Sequence, residues 1–198
     1  MSADSYDEMI EAMAEEAEYL QLHSDKVYTV IGEFIIKFEN LCHNLDWLSE
    51  RILEISGLDN KRVQEVILNS ANSTAGQKLE LARKLYKAAF EKDYQNANEL
   101  IFSKIGEIIK ERNRLIHSSW NFGHDENSGE FGIFSSKPVK GASKKEIAVH
   151  KMEKTFSKDI ADLTKRVSPL HFYIFALFHN LQSENPSERI HKIIEIHE

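Results

Sequence analysis

Past the middle of the chain stands Glu111-Arg112-Asn113-Arg114-Leu115-Ile116-His117, a run whose residue types suit proton transfer beside an anion. Arginine stays charged at cellular pH, and its planar fork matches two oxygens of one phosphate or carboxylate. Histidine, with a pKa near neutrality, gives or takes a proton in the same range. Asn113 could orient His117 or hydrogen-bond the anion. On a helical wheel with Ile105 at zero, the apolar residues Ile101, Phe102, Ile108, Ile109, Leu115 and Ile116 form an arc from about 280° to about 60°. Glu107, Lys110, Glu111 and Arg114 take the opposite side. Arg112 falls at about 340°, inside the arc, while Asn113 and His117 fall at about 80° and 120°, along its border and one turn apart. An unpaired buried guanidinium would be costly, so two readings are open. Either Arg112 is a core arginine paired with an acid of another helix, such as Glu33, Glu39 or Asp46, or this helix end faces a cleft or subunit interface where Arg112 meets a ligand.

Other site chemistries find little support. Nine histidines are present, but there is no H-E-x-x-H and no cysteine pair to suggest a metal site. The eight glycines are scattered and make no phosphate loop, and no G-x-S-x-G is found. Cys42 beside His43 reads as packing rather than as a nucleophile.

The same run, at the end of a helix in an otherwise helical chain, resembles the signature of the HEPN superfamily. That signature is an arginine, usually followed by a polar residue such as asparagine, with a histidine four to six residues further on; Arg112, Asn113 and His117 match it. The resemblance covers the bundle from about residue 27 to residue 182. It implies an all-α, HEPN-like helical bundle and a homodimer whose motif helices face each other. Many members are metal-independent ribonucleases of toxin–antitoxin, abortive-infection and other defence systems, needing no cofactor. Others have lost activity and serve as dimerisation, nucleotide-sensing or scaffold modules.

The chemistry this implies is coherent. RNA carries its own nucleophile, the 2′-OH, so the protein must supply a proton acceptor, a proton donor and fixed donors for the developing charge. One His117 cannot fill both proton-transfer roles in one step, and a two-fold dimer would bring a second copy into the cleft. The catalytic set implied is Arg112, Asn113 and His117. Arg114 could contact RNA backbone or remain a solvated charge, and Trp120 could stack on a base or pack against the bundle. RNA, a second copy, and an antitoxin or other regulatory protein are the partners implied.

The elements that would position these groups follow from periodicity. Val27, Ile31, Phe34, Ile35, Phe38, Leu41, Leu45, Leu48, Ile52 and Ile55 keep helical spacing from Ser24, a candidate N-cap, to Gly57. A short helix over about 60–69, another from about Thr74 to Phe90, and a third from about Asn96 to Ser118 follow. Residues 121–152 read as a β-hairpin or loop insertion between the last two long helices, with strands at Phe131–Ser136 and Glu146–His150 and a turn at Asn127-Ser128-Gly129. Lys137, Lys140, Lys144, Lys145 and Lys151 make it basic, suited either to guiding nucleic acid or to plain solvation. Ser157 to about Gln182 reads as a final helix kinked at Pro169. Its aromatic-rich second half (Phe172, Tyr173, Phe175, Phe178) calls for burial in the core or against a partner.

Composition bounds the rest. With 41 % apolar and 29 % charged residues among 198, the chain belongs with globular proteins, long enough for a core. Leu170–Leu181, the densest apolar run, is too short to span a bilayer of about 30 Å. No basic start followed by an apolar stretch suggests secretion, and a lone cysteine fits a reducing cytoplasm. The net charge of −7 is uneven: residues 1–25 hold eight acids and no Lys or Arg, leaving 24 acids against 25 bases elsewhere. That segment reads as a solubilising tail, a docking helix or an acidic cover over a basic site. Residues 26–198 are then the HEPN-like domain.

Overall fold

The computed structural model describes residues 3–71, 74–116, 119–124, 131–138, 150–155 and 157–197. It is mostly helical. The first helix, α1, runs unbroken over Ala3–Ile55, so the helix start expected at Ser24 is not used. No Gly or Pro stands between residues 3 and 31, and Gln21 Nε2 donates to Asp25 Oδ1 at 2.9 Å one turn on, support of the i,i+4 kind. The helix stops at Gly57, whose φ of 88° is open to glycine at little cost. Leu58 N–H reaches back to the Leu53 carbonyl at 3.0 Å, closing the carbonyl end as glycine-terminated helices do.

Helix α2 covers Lys61–Ala71, with Asn60 Oδ1 accepting from the Arg62 and Val63 amides. Helix α3 covers Ala75–Ala89 and is capped by Thr74, whose side chain accepts from the Gln77 amide. Both caps satisfy N–H groups that a helix start leaves without intrahelical partners. A short helix α4 (Tyr94–Ala97) passes through a π-helical turn (Asn98–Phe102) into α5 (Ser103–Ile116). Helix α6 is Ser157–His179, with Pro169 inside it, and α7 is Glu188–His197.

Among the described residues three strands lie between α5 and α6: β1 (Ser119–His124), β2 (Phe131–Pro138) and β3 (His150–Thr155). They form an antiparallel sheet in the order β1-β2-β3, with Phe122 opposite Ile133 and Ile133 opposite Thr155. The expected two-stranded hairpin, 131–136 against 146–150, is therefore not what is seen. Ser119–His124 carries Trp120, Phe122 and His124 at the period of two that suits a strand, and it takes one edge of β2. The other edge pairs from His150 onward; residues 146–149 of the expected strand, and the expected turn at 127–129, lie outside the described residues.

The chain divides into two compact units, Ile35–Asn113 with Leu163–Glu198, and Met1–Phe34 with Arg114–Asp162. In the first, Phe38, Leu41, Leu45, Leu48 and Ile52 of α1 are buried, as are Leu79, Ala82 and Tyr86 of α3, Ile105 and Ile108 of α5, and Leu170, Ile174 and Leu177 of α6. Lys78 of α3 pairs with Asp46 of α1, Arg166 of α6 with Glu107 of α5 at 3.0 Å, and the Tyr86 and Phe102 rings meet edge-on at 5.6 Å. In the second unit the buried apolar side chains include Val27, Phe34, Leu115 and Ile160. Among the described residues no helix is long and apolar enough to cross a membrane.

Candidate functional site

Helix α5 buries the arc that its sequence draws. Ile105, Ile108, Ile109 and Leu115 are buried, while Glu107, Lys110 and Asn113 are exposed. Gly106 faces α3, where a Cβ would meet Leu79 Cδ2 at an ordinary contact distance of 3.7 Å. The π-helical turn ahead of α5 is fixed by the Ser103 amide, which donates five residues back to Asn98, and by Arg83, which donates to Asn98 Oδ1 at 2.7 Å. A π turn shifts the helix phase, so the face shown by Ser103–Ile116 is set here.

Arg112 lies within the arc, its side chain 26 % exposed. Its guanidinium lies over the Phe38 ring, 5.3 Å from the centroid, close enough for cation–π attraction. One terminal nitrogen stands 3.8 Å from Glu39 Oε1, and the other donates to Asn113 Oδ1 at 3.3 Å. The Nε is buried and has no hydrogen-bond partner among the described residues. Of the three acids proposed for a core pair, Glu39 is the one beside Arg112. The pair is long, and the carboxylate side chain is 54 % exposed. A guanidinium held only for packing would normally have its buried N–H groups satisfied; this one is held loosely.

The charges around Arg112 also act on Cys42, which is 4 % exposed. Burial pushes its thiol up to about 12, with Glu39 adding to the rise and Lys78 opposing it. A thiol with so little thiolate is inert, as expected of a packing residue.

Of the remaining expected site residues, Asn113 is exposed next to Arg112 and Arg114 is half-buried. Trp120 stands in β1 opposite Ser135. His117 lies outside the described residues. The structure thus brings Arg112 and Asn113 together, and it adds Phe38 and Glu39, one helical heptad before Leu45 and Asp46. Phe38 carried a signal as a member of the α1 stripe; nothing in the sequence assigned it to the guanidinium. Among the described residues no group of three or more His, Cys, Asp or Glu side chains is placed to hold a metal ion.

No protein-family model matches the chain, and neither a curated protein nor a solved structure matches it.

Proposed function

We propose that the chain is a metal-independent, HEPN-like endoribonuclease acting in the cytoplasm as a toxin or antiviral-defence effector, with an antitoxin or other regulatory protein as its control. Its site is composite, built from Arg112, Asn113 and His117 of two copies. One His117 takes the proton from the RNA 2′-OH as that oxygen attacks the adjacent phosphorus. The second copy's histidine gives a proton to the departing 5′-oxygen, leaving a 2′,3′-cyclic phosphate and a free 5′-hydroxyl. Arg112 meets the charge that builds on the phosphorane oxygens. The observation that carries this reading is the loosely held Arg112, on an apolar arc yet 3.8 Å from its acid, with a buried Nε unsatisfied.

The test is cleavage of total cellular RNA and tRNA in EDTA by wild type, His117→Ala and Arg112→Met. Wild type should cut and leave cyclic phosphate ends; His117→Ala should lose at least about a hundredfold, the lower end for a positioned proton-transfer group, and Arg112→Met about as much, as for a lost donor to developing charge. Wild-type cutting by His117→Ala would end the reading.

The alternative is a catalytically inactive HEPN-like dimerisation, nucleotide-sensing or scaffold module. The exposed phenyl rings of Phe172 (69 %) and Phe175 (60 %) on α6 favour it, since such rings mark surfaces that meet partners. Folded wild type that leaves RNA intact would support this second reading.

A further inference from the structure

The face that the α6 phenylalanines leave bare has a shape. In the unit formed by Ile35–Asn113 and Leu163–Glu198, α6 and α7 border a groove of about 790 Å³ whose walls include Phe172, Phe175, Ala176 and Ile193. Phe175 and His179 also line a recess of about 380 Å³ beside Trp47, itself 61 % exposed. Among the described residues Arg189 is the one Lys, Arg, Asp or Glu lining the groove, and it has no ion-pair partner among them. Pockets for small ligands bury most of their guest. An open apolar groove with rings this exposed instead fits the apolar side of an amphipathic helix, and Arg189 on its wall favours a helix with acids beside that side.

The chain itself contains such a helix. The N-terminal part of α1 leaves Ile10 (47 %) and Met13 (62 %) exposed. With Ile10 at zero, Met13 and Ala17 fall at about 300° and 340° on the wheel, and Asp7, Glu11 and Glu18 fall at about 60–100° along the flank. Residues 1–25 hold eight acids and no Lys or Arg. One chain thus carries an apolar groove with an arginine on its wall and an acidic amphipathic helix whose Ile10 and Met13 are exposed.

We propose that the acidic N-terminal part of α1 from a second copy lies in the α6–α7 groove, with Ile10 and Met13 against Phe172 and Phe175 and a flanking carboxylate on Arg189. Exchanged both ways, the contact closes a two-fold dimer without leaving an open end. It is separate from any pairing of α5 helices and does not depend on RNA cleavage.

Disulfide trapping in the full chain tests it. Ile10→Cys or Met13→Cys protein is mixed with affinity-tagged Phe172→Cys or Phe175→Cys protein and oxidised with diamide, which takes the two thiol hydrogens as the S–S bond forms. Each chain carries one introduced thiol, so a mixed product reports contact between copies. Cys42 stays silent because it is 4 % exposed and burial pushes its thiol up to about 12. The mixed disulfide should exceed by at least fivefold that formed with a tagged Ile36→Cys control, a position 64 % exposed. Adding Arg189→Glu to the groove chain should cut the yield at least fivefold, with an unchanged circular-dichroism melt showing that the fold survives. Control-level coupling, indifference to Arg189→Glu, or groove chains coupling mainly to one another would each overturn the proposal.

Discussion

Arg112 of α5 and Glu39 of α1 stand 3.8 Å apart, and the arginine is the better buried of the two, its side chain 26 % exposed against 54 %. So long and open a pair is worth about 0–1 kcal/mol, and the stacking on Phe38 adds roughly 0.5–1 kcal/mol. The unsatisfied Nε costs about 1–3 kcal/mol, so the guanidinium contributes little to folding. Arg112→Met, which keeps an apolar stem over Phe38, should therefore unfold in urea within about 1 kcal/mol of wild type or above it. A double-mutant cycle with Glu39→Gln should give a coupling below about 1 kcal/mol. A loss of about 3 kcal/mol or more for Arg112→Met would mark a structural ion pair and remove the argument for a ligand-directed arginine.

Cys42 makes stability fall at high pH. Its thiol is raised from 9.0 to about 12 in the folded protein, so between those values the unfolded chain has lost a proton that the folded chain keeps. Stability is whole below about pH 9 and declines above it, by up to about 1.4 kcal/mol per pH unit. Tyr86 acts in the same direction above its ordinary value, because burial, and then its bond to Asp93, push the phenol well up. Urea midpoints at pH 8 and pH 10 should differ less for Cys42→Ala than for wild type. Equal slopes in the two proteins would rule out Cys42 as a source.

His171 acts at the other end of the scale. It is half-buried, its Nδ1 lies 3.1 Å from Asn44 Nδ2, and burial holds its pKa below the ordinary histidine value. The unfolded chain binds a proton first as pH drops below about 6.5, so the contribution of neutral His171 is present above that pH and is lost below it. His171→Gln should narrow the difference in urea midpoint between pH 7.5 and pH 5.5. A difference as large as in wild type would place the acid sensitivity elsewhere.

How much of this was legible in the sequence depended on what sets each feature. The α5 arc was readable because apolar spacing alone decides which face is buried, and Ile105, Ile108, Ile109 and Leu115 are buried as spaced. The same spacing placed Phe38 to Ile52 in the core, and Thr74 announced the start of α3. For the α6 phenylalanines the sequence left core and partner open, and the core-facing side is set instead by Leu163, Val167, Leu170, Ile174 and Leu177, which leaves Phe172 and Phe175 exposed. Helix α7 went unread, although Ile190, Ile193 and Ile194 after Pro186 have helical spacing. The strand at Ser119–His124 was hidden behind the helix before it. The partners of Arg112 were legible only as a choice of three acids, because contacts between helices depend on packing angles that no local pattern encodes.

The bond set at Asp93 is the clearest case of such a non-local contact, and it yields the sharpest stability test. The carboxylate is 1 % exposed and accepts from the Tyr86 hydroxyl at 2.5 Å, the Ser187 amide at 2.9 Å and the Ser187 hydroxyl at 2.6 Å. All three groups donate, and an ionised carboxylate only accepts, so the match is complete without a counter-ion. It ties the chain just before α7 to the turn before α4, 94 residues apart in sequence. Asp93→Ala would leave the Tyr86 hydroxyl and the Ser187 amide buried without acceptors, at about 1–3 kcal/mol each, so a loss of roughly 3 kcal/mol or more is expected. Asp93→Asn keeps one oxygen for those two donors, and its amide can donate to a Ser187 hydroxyl turned to accept, so it should cost only about 1 kcal/mol. Limited proteolysis supplies the local readout: Asp93→Ala should be cut within residues 182–187, where Ser187 has lost its hold, before wild type or Asp93→Asn is cut. If Asn proved as damaging as Ala in urea, the negative charge rather than the count of acceptors would be what the site requires. If neither variant opened the 182–187 segment, other contacts would be holding α7 in place.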